Sequence, residues 1–258
     1  SFSLAELYHG AGSGYDKLKL VMVTNKSESK PIISLHQVTK VYGKGDNAVE
    51  ALRGIDLDIS SGEVIAIIGR SGSGKSTLAH VMATLDRPTS GKVLINGSEV
   101  GRRSRRASNR LRNQEIGFVF QQFFMNARDS VLDNVVLPMV IAGIRPKLRR
   151  KRALDTLETV GLLDKAYARA SDLSGGQKQR VCIARAIVNK PSIILADEPT
   201  GNLDTATSRV VEDMLFRLNQ ERGITLVIVT HDPDLAQRCG RQVRIADGRV
   251  VGDQKERK

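Results

Sequence analysis

Cys182 and Cys239 are the only thiols in a chain of 258 residues. Two cysteines cannot make a disulfide framework, and beside four scattered histidines they are a poor zinc set. A reducing compartment is the simplest home. Long apolar runs are missing as well. The longest, Val135 to Ile144, is interrupted by Pro138 and falls well short of the roughly 20 residues that a membrane-spanning helix needs. Repeats and low-complexity segments are absent, and a 40% apolar fraction supplies one or two ordinary cores, which excludes global disorder. Acidic residues are lacking in two particular places. The chain carries 40 Lys and Arg against 28 Asp and Glu, a balance of +12. Arg102, Arg103, Arg105, Arg106, Arg110 and Arg112 form one acid-free stretch; Arg145, Lys147, Arg149, Arg150, Lys151 and Arg152 form another, and together they match the whole excess. Such a balance implies an anionic partner: nucleotide, nucleic acid or membrane headgroup.

Residues 1–31 mix Gly10, Gly12 and Gly14 with scattered charge, lack the apolar centre of a signal peptide and do not begin with Met. They read as a flexible leader or an expression remnant, with Met22 as a candidate natural start. The folded body is expected over residues 32–252, with 253–258 as a charged tail.

Within that body, strand-like and helical runs alternate. Ile32 to Val38 reads as a partly buried strand. Val64 to Ile68, Ser192 to Ala196 and Thr225 to Val229 are short and rich in β-branched residues, as in a parallel sheet covered on both faces. Lys75 to Leu85, Leu148 to Val160, Gly176 to Asn189 and Thr205 to Arg222 read as helices. The order strand, helix, strand implies right-handed crossovers and an α/β fold. From about Gln122 to Leu173 the periodicity is helical with no buried strand, which predicts an inserted helical subdomain, about 122–175.

Three motifs carry chemistry. After Val64 to Ile68 comes Gly69-Arg70-Ser71-Gly72-Ser73-Gly74-Lys75-Ser76-Thr77, a phosphate loop opening a helix. Its glycines let backbone N–H groups converge on phosphate, and the helix N-terminus adds its positive end. Lys75 is expected to reach the β- and γ-phosphates and Ser76 to ligate Mg²⁺. The strand Ile193 to Ala196 then ends in Asp197-Glu198, at the sheet edge where α/β proteins bind ligands. Side chains alternate along a strand, so the two acids take different jobs. Asp197 is the Mg²⁺ partner, directly or through water, and Glu198 polarises the water that attacks the γ-phosphate. Last, Leu173-Ser174-Gly175-Gly176-Gln177 precedes a helix and makes a second anion-binding helix start by the same physics.

The phosphate loop, LSGGQ and Asp-Glu in this order resemble the ATP-binding cassette (ABC) ATPases, and the resemblance covers residues 32–252. It implies a P-loop NTPase domain with a RecA-like mixed sheet core, an antiparallel β subdomain and a helical signature subdomain. It also implies a head-to-tail dimer, in which ATP lies between the phosphate loop of one copy and Ser174, Gly175, Gly176 and Gln177 of the other. Position by position, Tyr42 matches the aromatic that stacks on adenine, with a plain core or surface tyrosine as the competing reading. Gln121 matches the glutamine that touches Mg²⁺ and the lytic water; the adjacent Gln122 leaves the register open by one. Asp204 matches the acid that communicates across the dimer, and His231 the histidine at the γ-phosphate. His9, His36 and His80 match no such position and are expected to be structural.

Asp197 to Asp204, Gly117 to Gln121 and Val131 to Pro138 are similar to the branch that contains MacB, LolD and FtsE. Met125 to Ser130 is more polar than usual there, and Ala170-Ser171-Asp172 lacks a customary proline. The function implied is an ATP-hydrolysing subunit that couples dimer closure to a separate transmembrane permease, for export, lipoprotein release or mechanotransmission. It would work at the cytoplasmic face of the cell membrane, with the basic stretches facing the permease, anionic headgroups or only solvent. The alternative is a soluble ABC-type ATPase acting on nucleic acid. Such proteins usually insert a long coiled coil between loop and signature, and no sustained heptads lie between Lys75 and Leu173.

Overall fold

The computed structural model describes residues 30–100 and 104–255. Leader residues 1–29 with the candidate start Met22, residues 101–103 with two arginines of the first basic stretch, and 256–258 of the tail lie outside the described residues.

Two sheets form the frame. The first is antiparallel, ordered β2-β1-β4-β5, from β1 (Ile33–Tyr42), β2 (Val49–Ile59), β4 (Ser90–Ile95) and β5 (Ser98–Glu99). The second is ordered β10-β9-β3-β8-β7-β6, from β3 (Val64–Ile68), β6 (Ile116–Val119), β7 (Ile193–Asp197), β8 (Thr225–Val229), β9 (Arg241–Ala246) and β10 (Arg249–Lys255). All neighbours in it run parallel except β9 and β10, so it is a mixed sheet whose parallel part needs helical crossovers. These are among α1 (Lys75–Met82), α2 (Arg105–Glu115), α3 (Val131–Ile141), α4 (Pro146–Thr159), α5 (Gly175–Ile187), α6 (Thr205–Arg222) and α7 (Pro233–Gln237).

Strand parity divides the core in two. Ile65, Ile67, Ile193, Leu195, Val227 and Val229 point to one side and pack with α1 and the antiparallel sheet. Ala66, Ile194, Ala196, Leu226 and Ile228 point to the other and pack with the helical layer of α3 to α7. Both faces of the central strands are therefore covered, which is why these strands read as unbroken apolar runs.

The expected helical subdomain is present: among the described residues, 122–173 contains α3, α4 and two short 3₁₀ turns but no strand. Its helix starts follow local rules. Ser130 caps α3, with Oγ accepting from Asp133 N–H at 3.0 Å, and Pro146 opens α4, where a missing N–H costs nothing. The unusually polar Met125 to Ser130 is satisfied internally. Buried Asn134 accepts from Asn126 N–H at 2.9 Å and donates to Asn126 O and Ser130 O. Ala170 N–H and Ser171 N–H donate to Asp129 O and Ala127 O, so the proline-less turn closes onto that same loop.

α2 was not foreseen. β6 stops at Val119, so Phe120 and Gln121 lie past the paired strand. At the C-terminus β10 runs to Lys255, so residues 253–255 are paired strand rather than charged tail, and Asp253 meets Arg241 Nε and Nη2 at 2.7 and 2.6 Å.

Candidate functional site

The parallel strands β3, β6, β7 and β8 end at one edge, and the chemical residues stand at or beyond those ends. β3 feeds the loop Gly69 to Gly74 and then Lys75; β6 leads to Gln121, β7 to Asp197 and Glu198, and β8 to His231. Around that edge lies a cleft of about 890 Å³, lined by Gly69, Arg70, Ser71, Gly72, Gly74, Lys75, Ser76, Thr77, Gln121, Glu198 and His231. The remaining wall was not anticipated from the sequence. Val49, Glu50, Ala51 and Arg53 of β2 and the Asp247-Gly248 turn close it from the other side. The Asp-Gly pair was a hairpin signal in plain view, but nothing local shows that it faces the phosphate loop.

Gly74 stands in the left-handed region at φ 102, and a Cβ there would lie 2.5 Å from Ala51 O. Only glycine fits at this N-cap of α1. Lys75, the first residue of α1, is buried at 8% exposure. Its Nζ donates to Gly69 O and Arg70 O, both at 2.9 Å, so the ammonium is held inside the curve of its own loop. Ser73 Oγ is buried there too and has no hydrogen-bond partner among the described residues. A buried cation, an unpartnered hydroxyl and a helix N-terminus behind glycine-turned amides suit a bound polyphosphate.

The two acids meet different partners. Asp197 Oδ1 accepts from Ser76 Oγ at 3.3 Å. Burial pushes its carboxyl above the usual carboxylate range, against the pull of the Ser76 bond. Glu198 sits at φ 47, a left-handed conformation rare for a side-chain residue. It is pinned there because its N–H donates to Val229 O at 2.9 Å and its C=O accepts from Gly201 N–H at 3.1 Å. The turn aims Glu198 at the next strand's end, where its Oε1 lies 2.8 Å from His231 Nδ1. Thr230 N–H in turn donates to Ile67 O at 3.1 Å, tying the His231 segment to the strand that feeds the phosphate loop.

Gln121 lines the cleft, while Gln122 is exposed and does not. Asn202 Nδ2 donates to Gln121 O at 3.0 Å, and a Cβ on Gly201 would lie 2.8 Å from Gln121 Nε2. Tyr42 is not part of the cleft wall. It stands 40% exposed at the end of β1, donating to Asp86 Oδ2 at 2.8 Å with Lys40 Nζ 4.8 Å from its ring centre. Burial and then the Asp86 bond raise its hydroxyl pKa. His80, expected to be structural, does pack its ring against Phe118 and Phe120.

Ser174, Gly175, Gly176 and Gln177 do not line this cleft. They form the first turn of α5, closed by a capping box: Ser174 Oγ accepts from Gln177 N–H at 3.3 Å, and Gln177 Oε1 accepts from Ser174 N–H at 2.9 Å. Beside them Asp204 caps α6, taking Thr207 N–H at 3.0 Å and Thr207 Oγ1–H at 2.7 Å, bonds that hold its carboxyl below the usual range. One chain thus presents two anion-ready helix starts at separate places.

A family model described as ABC transporter matches residues 52–201. The lipoprotein-releasing system ATP-binding protein LolD of Geobacter metallireducens is 48% identical over 222 residues, covering 86% of this chain and 99% of its own. The macrolide export ATP-binding/permease protein MacB 1/2 of Paracoccus denitrificans is 47% identical over 225 residues, 87% of this chain but 34% of that longer protein. Among solved structures, a dimeric ATP-binding cassette in a post-hydrolysis state with ADP and Pi superposes with a TM-score of 0.81 at 40% identity, covering 88% of this chain and 99% of that one.

Proposed function

This chain belongs to the ABC transporter family as an ATP-binding, ATP-hydrolysing subunit, and from that premise we propose how its own residues bind ATP, what they do to it and where the work goes. The observation that carries the reading is the convergence of Lys75, Gln121, Glu198 and His231 on one cleft at the ends of four parallel strands. Lys75 and the amides of Gly69 to Thr77 hold the β- and γ-phosphates. Tyr42 lies outside the cleft wall and is the proposed stacking partner of adenine, its hydroxyl held by Asp86.

Ser76, Asp197 and Gln121 offer a hydroxyl, a carboxylate and an amide oxygen, a hard-oxygen set that suits Mg²⁺ and leaves positions for phosphate oxygens and water. Mg²⁺, if bound by these residues, would supply charge neutralisation for the β- and γ-phosphates. The Ser76 to Asp197 bond already brings two of those three donors together. Glu198 takes the proton of the attacking water, and His231 orients its carboxylate.

ATP completes its site between two copies in head-to-tail contact, with Ser174, Gly175, Gly176 and Gln177 of the second copy closing over the γ-phosphate and Asp204 carrying the signal between sites. That closure drives a separate transmembrane permease, with the cassette peripheral at the cytoplasmic face of the membrane. Export, lipoprotein release and mechanotransmission are the outputs considered. No helix among the described residues is long and apolar enough to cross a membrane. No nucleic-acid partner is proposed, because both named relatives are transport or release components.

Anionic headgroups are the proposed neighbour of α4. Arg145, Lys147, Arg149, Arg150, Lys151 and Arg152 crowd its first turns, and no acid stands in the first of them. Cations there oppose the helix dipole by about 0.3–1 kcal/mol each, and a negative surface offsets that. The test of the dimer is light scattering of the Glu198→Gln variant: a doubled mass in ATP with Mg²⁺ but not in ADP is expected, and a monomer in both overturns it. The permease is tested by affinity purification of the chain from native membranes, where a recovered polytopic protein is expected.

A further inference from the structure

Gln179 lies one turn into α5 and is completely buried. Its Nε2 donates to Pro199 O at 2.6 Å and to Phe120 O at 3.3 Å. Both neighbours are carbonyl oxygens, which only accept, so the nitrogen of the amide must face them. Oε1 is left buried without a hydrogen-bond partner among the described residues. An apolar side chain of the same volume would fill this space without stranding an oxygen. What the amide adds is a clasp on two backbone segments.

Those segments are the ones that matter. Phe120 directly precedes Gln121, and Pro199 directly follows Glu198. The same stripe of α5, spaced by three, continues the grip. Cys182 Sγ–H donates to Phe123 O at 2.9 Å, and Arg185 Nη1 donates to Phe124 O at 2.7 Å. The two segments are also joined directly, by the Asn202 bond to Gln121 O.

We infer that Gln179 is a positioning residue, whose amide sets the spacing between the backbones of Gln121 and Glu198 and fastens both to the helix that begins at Ser174. The inference rests on the proposed hydrolytic roles of Gln121 and Glu198. Any displacement of α5, including one imposed by a nucleotide at Ser174 to Gly176, then reaches both residues together rather than one.

The test uses Gln179→Met, which keeps volume and removes both N–H donors, in the full chain. Expected is a fall in kcat of about tenfold or more, as small misplacements produce, with ATP affinity and thermal midpoint near those of the parent. Because part of the effect of Gln179 passes through Gln121, Gln179→Met should slow the Gln121→Ala variant by a smaller factor than it slows the parent. In Gln179→Glu, acidification restores a donor as the carboxyl protonates, so its turnover should rise toward the parent at lower pH. Normal kcat in the Met variant overturns the inference, as do losses that multiply in the double variant. Failure of both single variants to fold makes Gln179 a purely structural residue and overturns it too. If Gln121→Ala and Glu198→Gln themselves turn over normally, the catalytic reading falls first; if they are slow and Gln179→Met is not, only this inference falls.

Discussion

His231 Nδ1 and Glu198 Oε1 stand 2.8 Å apart although the residues are 33 positions apart in sequence. The pairing of β7 with β8 makes this possible, because Asp197 is opposite Val229 and each chemical residue comes just after its strand. A strained Glu198 at φ 47 turns back toward the histidine.

Replacing Glu198 by Gln keeps shape and removes the proton acceptor. Phosphate release should fall by at least about 10²-fold, while equilibrium ATP binding is retained. Turnover near the parental rate in a phosphate-release assay would remove Glu198 from the role of base.

Lys75→Ala deletes the buried ammonium that bonds Gly69 O and Arg70 O. Calorimetric titration should then show ATP binding weakened by about 10²-fold or more, since charge-assisted bonds to phosphate contribute about 1.5–3 kcal/mol each. An unchanged affinity would rule out the phosphate contact.

Gly176 and Gly175 predict opposite tolerance. A Cβ on Gly176 would lie 2.1 Å from Thr207 Cγ2, whereas one on Gly175 would meet nothing closer than 3.4 Å. Gly176→Ala should lower stability by about 1–3 kcal/mol, and Gly175→Ala by clearly less, in paired urea melts. Because Thr207 also anchors the Asp204 carboxylate, the Gly176 variant should in addition shift that cap.

Asp253 carries the pH dependence at the sheet edge. Its bonds to the Arg241 guanidinium hold the carboxyl below the usual range. A lowered folded pKa gives stability that is present above the unfolded pKa and is lost as pH falls through the folded one. The Asp253 side chain is 39% exposed, so solvent screens the pair; Asp253→Asn should cost about 0.5–1 kcal/mol at neutral pH, and the gap from the parent should close in acid. A gap that stays constant from neutral to acid pH in urea melts would contradict the pairing.

The parallel core was legible because burial on both faces leaves a compositional trace, and Val64 to Ile68 and Thr225 to Val229 match their strands residue for residue. The cleft motifs were legible because phosphate chemistry demands glycine, lysine and acids at fixed offsets. α2 was not, since Arg105 to Glu115 has only Ala107 and Leu111 to signal a buried face among polar side chains. Residues 253–255, the end of β10, read as a charged tail because Asp253 needs Arg241, twelve residues away. Position 42 was placed at the base because the family places it there, and its bond to Asp86 is a contact 44 positions away that no local pattern encodes. Gln179 hid in the same way: inside an amphipathic helix, nothing local marks one glutamine as buried between two loops.

The six-stranded sheet keeps neighbouring positions in separate company: Ile194 belongs with the helices and Leu195 with the antiparallel layer. A change in the helical layer therefore reaches the phosphate-loop layer at the strand ends, where α5 bonds the carbonyls of Phe120 and Pro199.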